Sequence, residues 1–247
     1  MEAHMKRFVA ALVACLALVS ISASAEVQKK DVDIKASDGI NLKGTHFSPG
    51  TSGPGILLLH QCNMDRHAWD GLANDLSGAG FHVLTVDYRG YGDSGEKTTD
   101  PDQRRALRPK WPGDVDTMFA YLVAQQGVDK SRLSVGGASC GVTQSSDLAA
   151  RRPEIKTLIE LSGSASDAGK AYVARTAALA VFGAAAEGDT NAAKGISELV
   201  GASKNPQSRL RIYPGAEHGV PMFAKNRDLQ PMIVSWLKTQ LMSRGGN

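Results

Sequence analysis

Gly137-Ala138-Ser139-Cys140-Gly141 sets a serine between two glycines at the spacing G-x-S-x-G. Leu133 and Val135 before it read as a short strand that runs directly into this turn. Where a strand passes into a helix through such a turn, only small residues fit around the central one. The serine oxygen is lifted above the end of the sheet, and the next backbone N–H faces the space where an oxyanion would form. A serine hydroxyl is a weak nucleophile near neutral pH and needs an adjacent base. The base needs a carboxylate to hold its tautomer and stabilise its cation.

Only one histidine lies downstream of Ser139. It is His218, in Tyr213-Pro214-Gly215-Ala216-Glu217-His218-Gly219 after the apolar run Leu210 to Ile212. The carboxylate is expected after the preceding strand, Ala178 to Phe182, which leads into Gly183-Ala184-Ala185-Ala186-Glu187-Gly188-Asp189. Asp189 is preferred to Glu187, because a shorter carboxylate is more easily held by turn N–H groups. Asp189 would also serve as an ordinary helix N-cap. Asp167, one strand earlier, is a weaker alternative. Nucleophile, acid and base thus follow one another in the order used by serine enzymes built on parallel sheets. A second oxyanion donor belongs in the loop after Ile56 to Leu59, which reads His60-Gln61-Cys62-Asn63. By position the backbone N–H of Cys62 pairs with that of Cys140. His60 precedes the serine, and we read it as ordering that loop.

The elements that must position these groups alternate. Val32 to Ala36 and Ile40 to Phe47 form a hairpin pattern about Ser37-Asp38-Gly39. Ile56 to Leu59 is continuously apolar, as in a strand buried on both faces. A helix from Trp69 to Leu76, a strand from Phe81 to Val86 and a helix marked by Val115, Met118, Phe119 and Leu122 follow. Ser94 to Lys110 is polar and reads as a surface loop. After Ser139 come a helix bearing Leu148 and Ala149, the strand Thr157 to Leu161, and helices near Asn191 to Val200 and Phe223 to Leu241. The class is α/β: one mostly parallel sheet with helices on both faces and an N-terminal antiparallel hairpin. In such sheets ligands bind at the carboxyl ends of the strands.

A chain of 247 residues, 42% hydrophobic, can bury a full core. The net charge of +3 is scattered rather than striped, which gives no sign of nucleic-acid binding. Lys6 and Arg7, the apolar run Phe8 to Ile21 and the small residues Ala23-Ser24-Ala25 have the order of a secretory signal peptide. The expected division is a leader over 1–25 and a single domain over 26–247, periplasmic or secreted, with no stable membrane insertion of the mature chain. A minority alternative reads Leu12-Val13-Ala14-Cys15 as a lipoprotein box, with Cys15 lipidated.

LLLHQ at 57–61, VDYRGYGDSG at 86–95, VGGASCG at 135–141, AEGD at 186–189 and YPGAEHG at 213–219 together resemble the α/β-hydrolase superfamily. Within it they look like the compact dienelactone-hydrolase-like group. The resemblance implies Ser139 as nucleophile, Asp189 as acid and His218 as base, with no metal or organic cofactor. The expected activity is hydrolysis of small or medium ester-like substrates. A peptidase, a thioesterase and a non-catalytic binding protein of the same fold are the alternatives. Gln61 stands where family members often carry glycine. Dienelactone hydrolases themselves use a cysteine nucleophile, but with Cys140 central the second small residue would be Val142, whereas Ser139 places Gly141 there. If Cys62 and Cys140 both line the oxyanion site, they are either two small buried side chains or a disulfide. The short interval between about 162 and 177 leaves no room for a large cap. Glu160, inside an apolar strand, is expected to be paired or at a sheet edge.

Overall fold

The computed structural model describes residues 27–242. The leader, its cleavage point and the Cys15 alternative lie outside the described residues. β1 (Gln28–Lys35) and β2 (Asn41–Ser48) pair antiparallel, with Gly39 at φ +85° closing the turn between them. Val32 and Ile34 are buried while their Lys and Asp neighbours face outward, as the alternation requires.

β2 then pairs antiparallel with β4 (His82–Val86), and every later pairing is parallel. The other strands are β3 (Gly53–Leu59), β5 (Val128–Ala138), β6 (Ile155–Leu161), β7 (Ala180–Ala186) and β8 (Arg209–Tyr213). The sheet order is β1-β2-β4-β3-β5-β6-β7-β8. Helices α3 (Trp111–Val123), α4 (Cys140–Arg151), α5 (Asp167–Arg175) and α6 (Thr190–Ala202) cover one face and enclose a core around Phe119, Val135 and Val142. Helices α1 (Asp70–Gly78) and α8 (Leu229–Leu241) cover the other, around Trp69, Phe182 and Trp236. Ile56, Leu57, Leu58 and Leu59 are all fully buried, which is why that run shows no alternation.

Three readings of the chain are corrected. The polar segment 94–110 is not all loop: α2 (Pro101–Leu107) begins with Asp100 accepting from the Asp102 and Gln103 N–H groups, and Pro101 opens the first turn. Asp-Pro at a helix start is the local signal for it. The strand expected over Ala178 to Phe182 starts two residues later and runs on to Ala186. Small residues carry it because a Cβ at Gly183 would lie 2.5 Å from Val200 Cγ2 of α6. The C-terminal helix is broken into α7 (Met222–Lys225) and α8. β8 is an edge strand, and Leu210 and Ile212 on it stay about 40% exposed.

Candidate active site

β5 ends at Ala138 and α4 starts at Cys140, so Ser139 alone makes the turn. Its φ of 55° and ψ of −115° lie in a region that non-glycine residues seldom occupy. The flanking glycines are sterically required. A Cβ at Gly137 would lie 2.2 Å from Gly141 C, and one at Gly141 would lie 2.5 Å from the Leu59 carbonyl. The Ser139 N–H donates to the Leu161 carbonyl and its own carbonyl accepts from Val142 N–H, which fixes the turn between two strands and the helix.

His218 and Asp189 meet. His218 Nδ1 lies 2.6 Å from Asp189 Oδ2, and the side chains are 42% and 19% exposed. One ring nitrogen is thereby committed to a carboxylate while the rest of the ring stays accessible. Asp189 is the third residue after β7 and immediately precedes α6, and its side chain makes no cap bond. Its carboxylate is directed to His218 instead. Glu187 is exposed, and its backbone N–H pairs with Tyr213. Asp167 is an exposed residue of the first turn of α5. Ser139 Oγ forms no hydrogen bond among the described residues.

Cys62 and Cys140 are joined by a disulfide, with Cα atoms 5.9 Å apart. The bridge fastens the loop after β3 to the first residue of α4. Neither cysteine N–H donates to a backbone acceptor among the described residues. His60 is fully buried, with Nδ1 2.7 Å from the Gln61 carbonyl and Nε2 accepting from the Tyr88 N–H. Burial lowers its pKa by penalising the charged ring. It orders the loop.

Sequence reasoning missed the part played by Gln61. This buried side chain accepts from the Val220 N–H at 2.9 Å and donates to the His218 carbonyl at 3.4 Å and to Asn63 Oδ1 at 2.8 Å. It ties the loop after β3 to the loop that carries His218. The motif VDYRGYGDSG is likewise an anchor. Asp87 pairs with Arg66 and accepts from the N–H groups of Arg66 and Asp93, while Arg89 binds Asp114 through two hydrogen bonds and also reaches Asp38 and Glu96. The signal for these roles is the charged pair Asp87 and Arg89 directly after the apolar strand β4, both buried in the fold. The expectation for Glu160 is overturned on both counts. β6 is an interior strand, and Glu160 meets a serine, not a cation.

A groove of about 420 Å³ lies between the segments that follow Cys62 and His218, lined by Met64, Ala68, Leu72, Val220, Pro221 and Phe223. Among the described residues no three His, Cys, Asp or Glu side chains gather to hold a metal ion, and no helix is long and apolar enough to cross a membrane.

A strained serine turn between two glycines and a histidine–carboxylate contact follow the carboxyl ends of parallel strands, as in α/β-hydrolase-like proteins. The model for the alpha/beta hydrolase fold matches residues 54–192, more than half of the chain, and the chain belongs to that family. An uncharacterized protein of Mycobacterium tuberculosis is 34% identical over 126 residues, covering 50% of this chain and 42% of that protein. An uncharacterized 31.7 kDa protein of Escherichia coli is 28% identical over 131 residues, covering 53% and 44%. The chain thus spans less than half the length of these curated relatives. Among solved structures, the Pyrococcus furiosus esterase Pf2001 superposes with a TM-score of 0.68 at 18% identity, over 87% of this chain and 92% of that one. A dienelactone hydrolase from Anabaena variabilis gives a TM-score of 0.68 at 18% identity, over 87% and 99%.

Proposed function

We propose that this chain is an exported serine hydrolase that cleaves ester-type bonds of small or medium acyl substrates. The observation that carries the reading is the His218–Asp189 contact of 2.6 Å in the loops that follow β8 and β7, at the same carboxyl end of the parallel strands as Ser139 after β5. Asp189 holds the Nδ1–H tautomer, which leaves Nε2 to take the Ser139 proton as Oγ attacks the substrate carbonyl. The Cys62 and Cys140 N–H groups stabilise the tetrahedral oxyanion. His218 returns its proton to the leaving alcohol, then activates a water that releases the acid and restores Ser139. The apolar groove beside Met64 and Val220 suits an alkyl or aryl portion of such a substrate.

Export rests on the order of residues 1–25 and agrees with a disulfide, which persists in oxidising compartments. That Ser139 Oγ forms no hydrogen bond among the described residues is what favours a second reading, a binding protein of the same fold, although catalytic hydrogen bonds often tighten only with substrate. A fluorophosphonate probe separates the two. Labelling of the wild type that disappears in Ser139→Ala supports the enzyme, while a folded, unlabelled wild type supports the binding protein. A panel of p-nitrophenyl acyl esters, thioesters and peptides with the same variant as control assigns the bond type.

A further inference from the structure

Glu160 is fully buried on an interior strand, has no cationic partner among the described residues and takes no part in the chemistry above. Its surroundings are built for it. In the sheet it stands beside Gly137 of β5 and Gly183 of β7, so neither neighbour on its face fills the space its carboxyl uses. Gly137 is also where the first turn of α4 rests on β5. The carboxyl of Glu160 therefore arrives next to that turn. Both of its oxygens lie 2.8 Å from Ser145 Oγ, and Ser145 Oγ lies 2.9 Å from the Gly141 carbonyl and 3.1 Å from the Val142 carbonyl.

The single Ser145 hydroxyl hydrogen allows two arrangements. With Glu160 charged, Ser145 donates to its carboxylate; with Glu160 protonated, the acid donates to Ser145 Oγ and Ser145 donates to the Gly141 carbonyl one turn earlier. Full burial away from any cation among the described residues favours the second, since it raises the Glu160 pKa well above the ordinary carboxylate range, against which the Ser145 hydrogen bond acts. Tyr88, two residues beyond the end of β4, is fully buried, and burial first and this carboxyl second raise its pKa well above the ordinary value.

We propose that Glu160 is a positioning residue of the nucleophile elbow. As the neutral acid it donates to Ser145 Oγ, and Ser145 donates to the Gly141 carbonyl. The first turn of α4, with the Cys140 N–H at its start, is thereby pinned to β6. The proposal rests on the reading of Ser139 as nucleophile, so the experiment carries one readout that needs catalysis and two that do not.

Wild type, Glu160→Gln, Glu160→Ala and Ser145→Ala are compared. Glutamine keeps a neutral donor of the same length, so E160Q retains kcat to within about threefold. E160A and S145A lose about tenfold or more in kcat, with KM changed less than about twofold, because only the transition-state oxyanion feels the displaced N–H. In S145A, amide exchange over the 140–145 segment rises above wild type. Infrared difference between wild type and E160Q near neutral pH contains a protonated-carboxyl C=O band. A carboxylate band in its place, or E160Q as impaired as E160A, overturns the neutral-donor role. Unchanged kcat and unchanged exchange in S145A overturn the positioning role. Should the wild type escape the fluorophosphonate probe, the infrared band and the exchange still decide whether the pin exists, and the catalytic reading alone is lost.

Discussion

Ser139 occupies a backbone conformation that costs about 1–3 kcal/mol and persists only where the surroundings over-determine it. Those surroundings are individual side chains, and two of them make distinct predictions. Asp189, not Glu187, holds the His218 ring. Asp189→Asn keeps the shape but favours the wrong imidazole tautomer, and kcat falls on the order of 10⁴-fold. Glu187→Gln, at an exposed position, stays within about twofold of wild type because it changes no contact to the ring. The pair is read by steady-state kinetics on one ester, and a larger loss in E187Q would hand the acid role to Glu187. Gln61 acts on the loops. Gln61→Ala leaves the buried Val220 N–H without its acceptor, a cost of about 1–3 kcal/mol in unfolding. It also frees the His218 loop, so kcat drops about tenfold or more while thermal unfolding shifts down by several degrees. An unchanged kcat with a lowered Tm would reduce Gln61 to a packing residue.

At the scale of elements, the parts legible in the chain were those with a period or a required turn. Ile56 to Leu59 announced a doubly buried strand, and Gly137 and Gly141 announced the elbow, because sterics there tolerate nothing larger. β7 was placed two residues early because Gly183-Ala184-Ala185-Ala186 has no alternation. Only the approach of Val200 and Ile196 explains why small residues belong there. Glu160 was flagged by its charge, but its partner Ser145 is fifteen residues away on a helix, and nothing local in the sequence joins them. The same holds for His46 on β2 and His82 on β4. Their rings stack at 5.5 Å because the antiparallel register sets His46 opposite Leu84, with His82 diagonally across on the same face. Burial, with the neighbouring His82 and Lys30, lowers the His46 pKa from its ordinary 6.5 to about 4, and burial lowers that of His82 too. The folded state then binds fewer protons than the unfolded chain between those values. Stability is complete above about 6.5 and is lost as pH falls towards about 4. Asp38 and Asp129, held near 2 by hydrogen bonds to Arg89 and Ser131, withdraw their contribution only below the ordinary value of 3.8. Tm measured across pH should therefore decline first in the histidine window. His46→Gln should flatten that decline and leave the lower one; identical profiles would remove His46 from the account.

Across the whole molecule, the Cys62–Cys140 bridge is the one covalent tie between distant parts of the described chain, and it spans a sequence separation of 78 residues. It joins the ends of β3 and β5, which are already neighbours in the sheet, so the folded state needs no rearrangement to accept it. Its main thermodynamic effect then falls on the unfolded chain. Closing a loop of that size removes about 4–5 kcal/mol of unfolded-state entropy in the chain-entropy model. For a domain of this size that corresponds to a Tm lower by roughly 10 °C once the bridge is opened. The same opening releases the loop that carries the Cys62 N–H from the helix that carries the Cys140 N–H. Stability and catalysis are therefore expected to fall together on reduction. The Cys62→Ser, Cys140→Ser double variant should reproduce the lowered Tm and kcat and be indifferent to reductant. Alkylation without prior reduction should modify neither cysteine in the wild type. If both react freely, the bridge is absent in solution, and the two N–H groups must be held by Gln61 and the first turn of α4 alone.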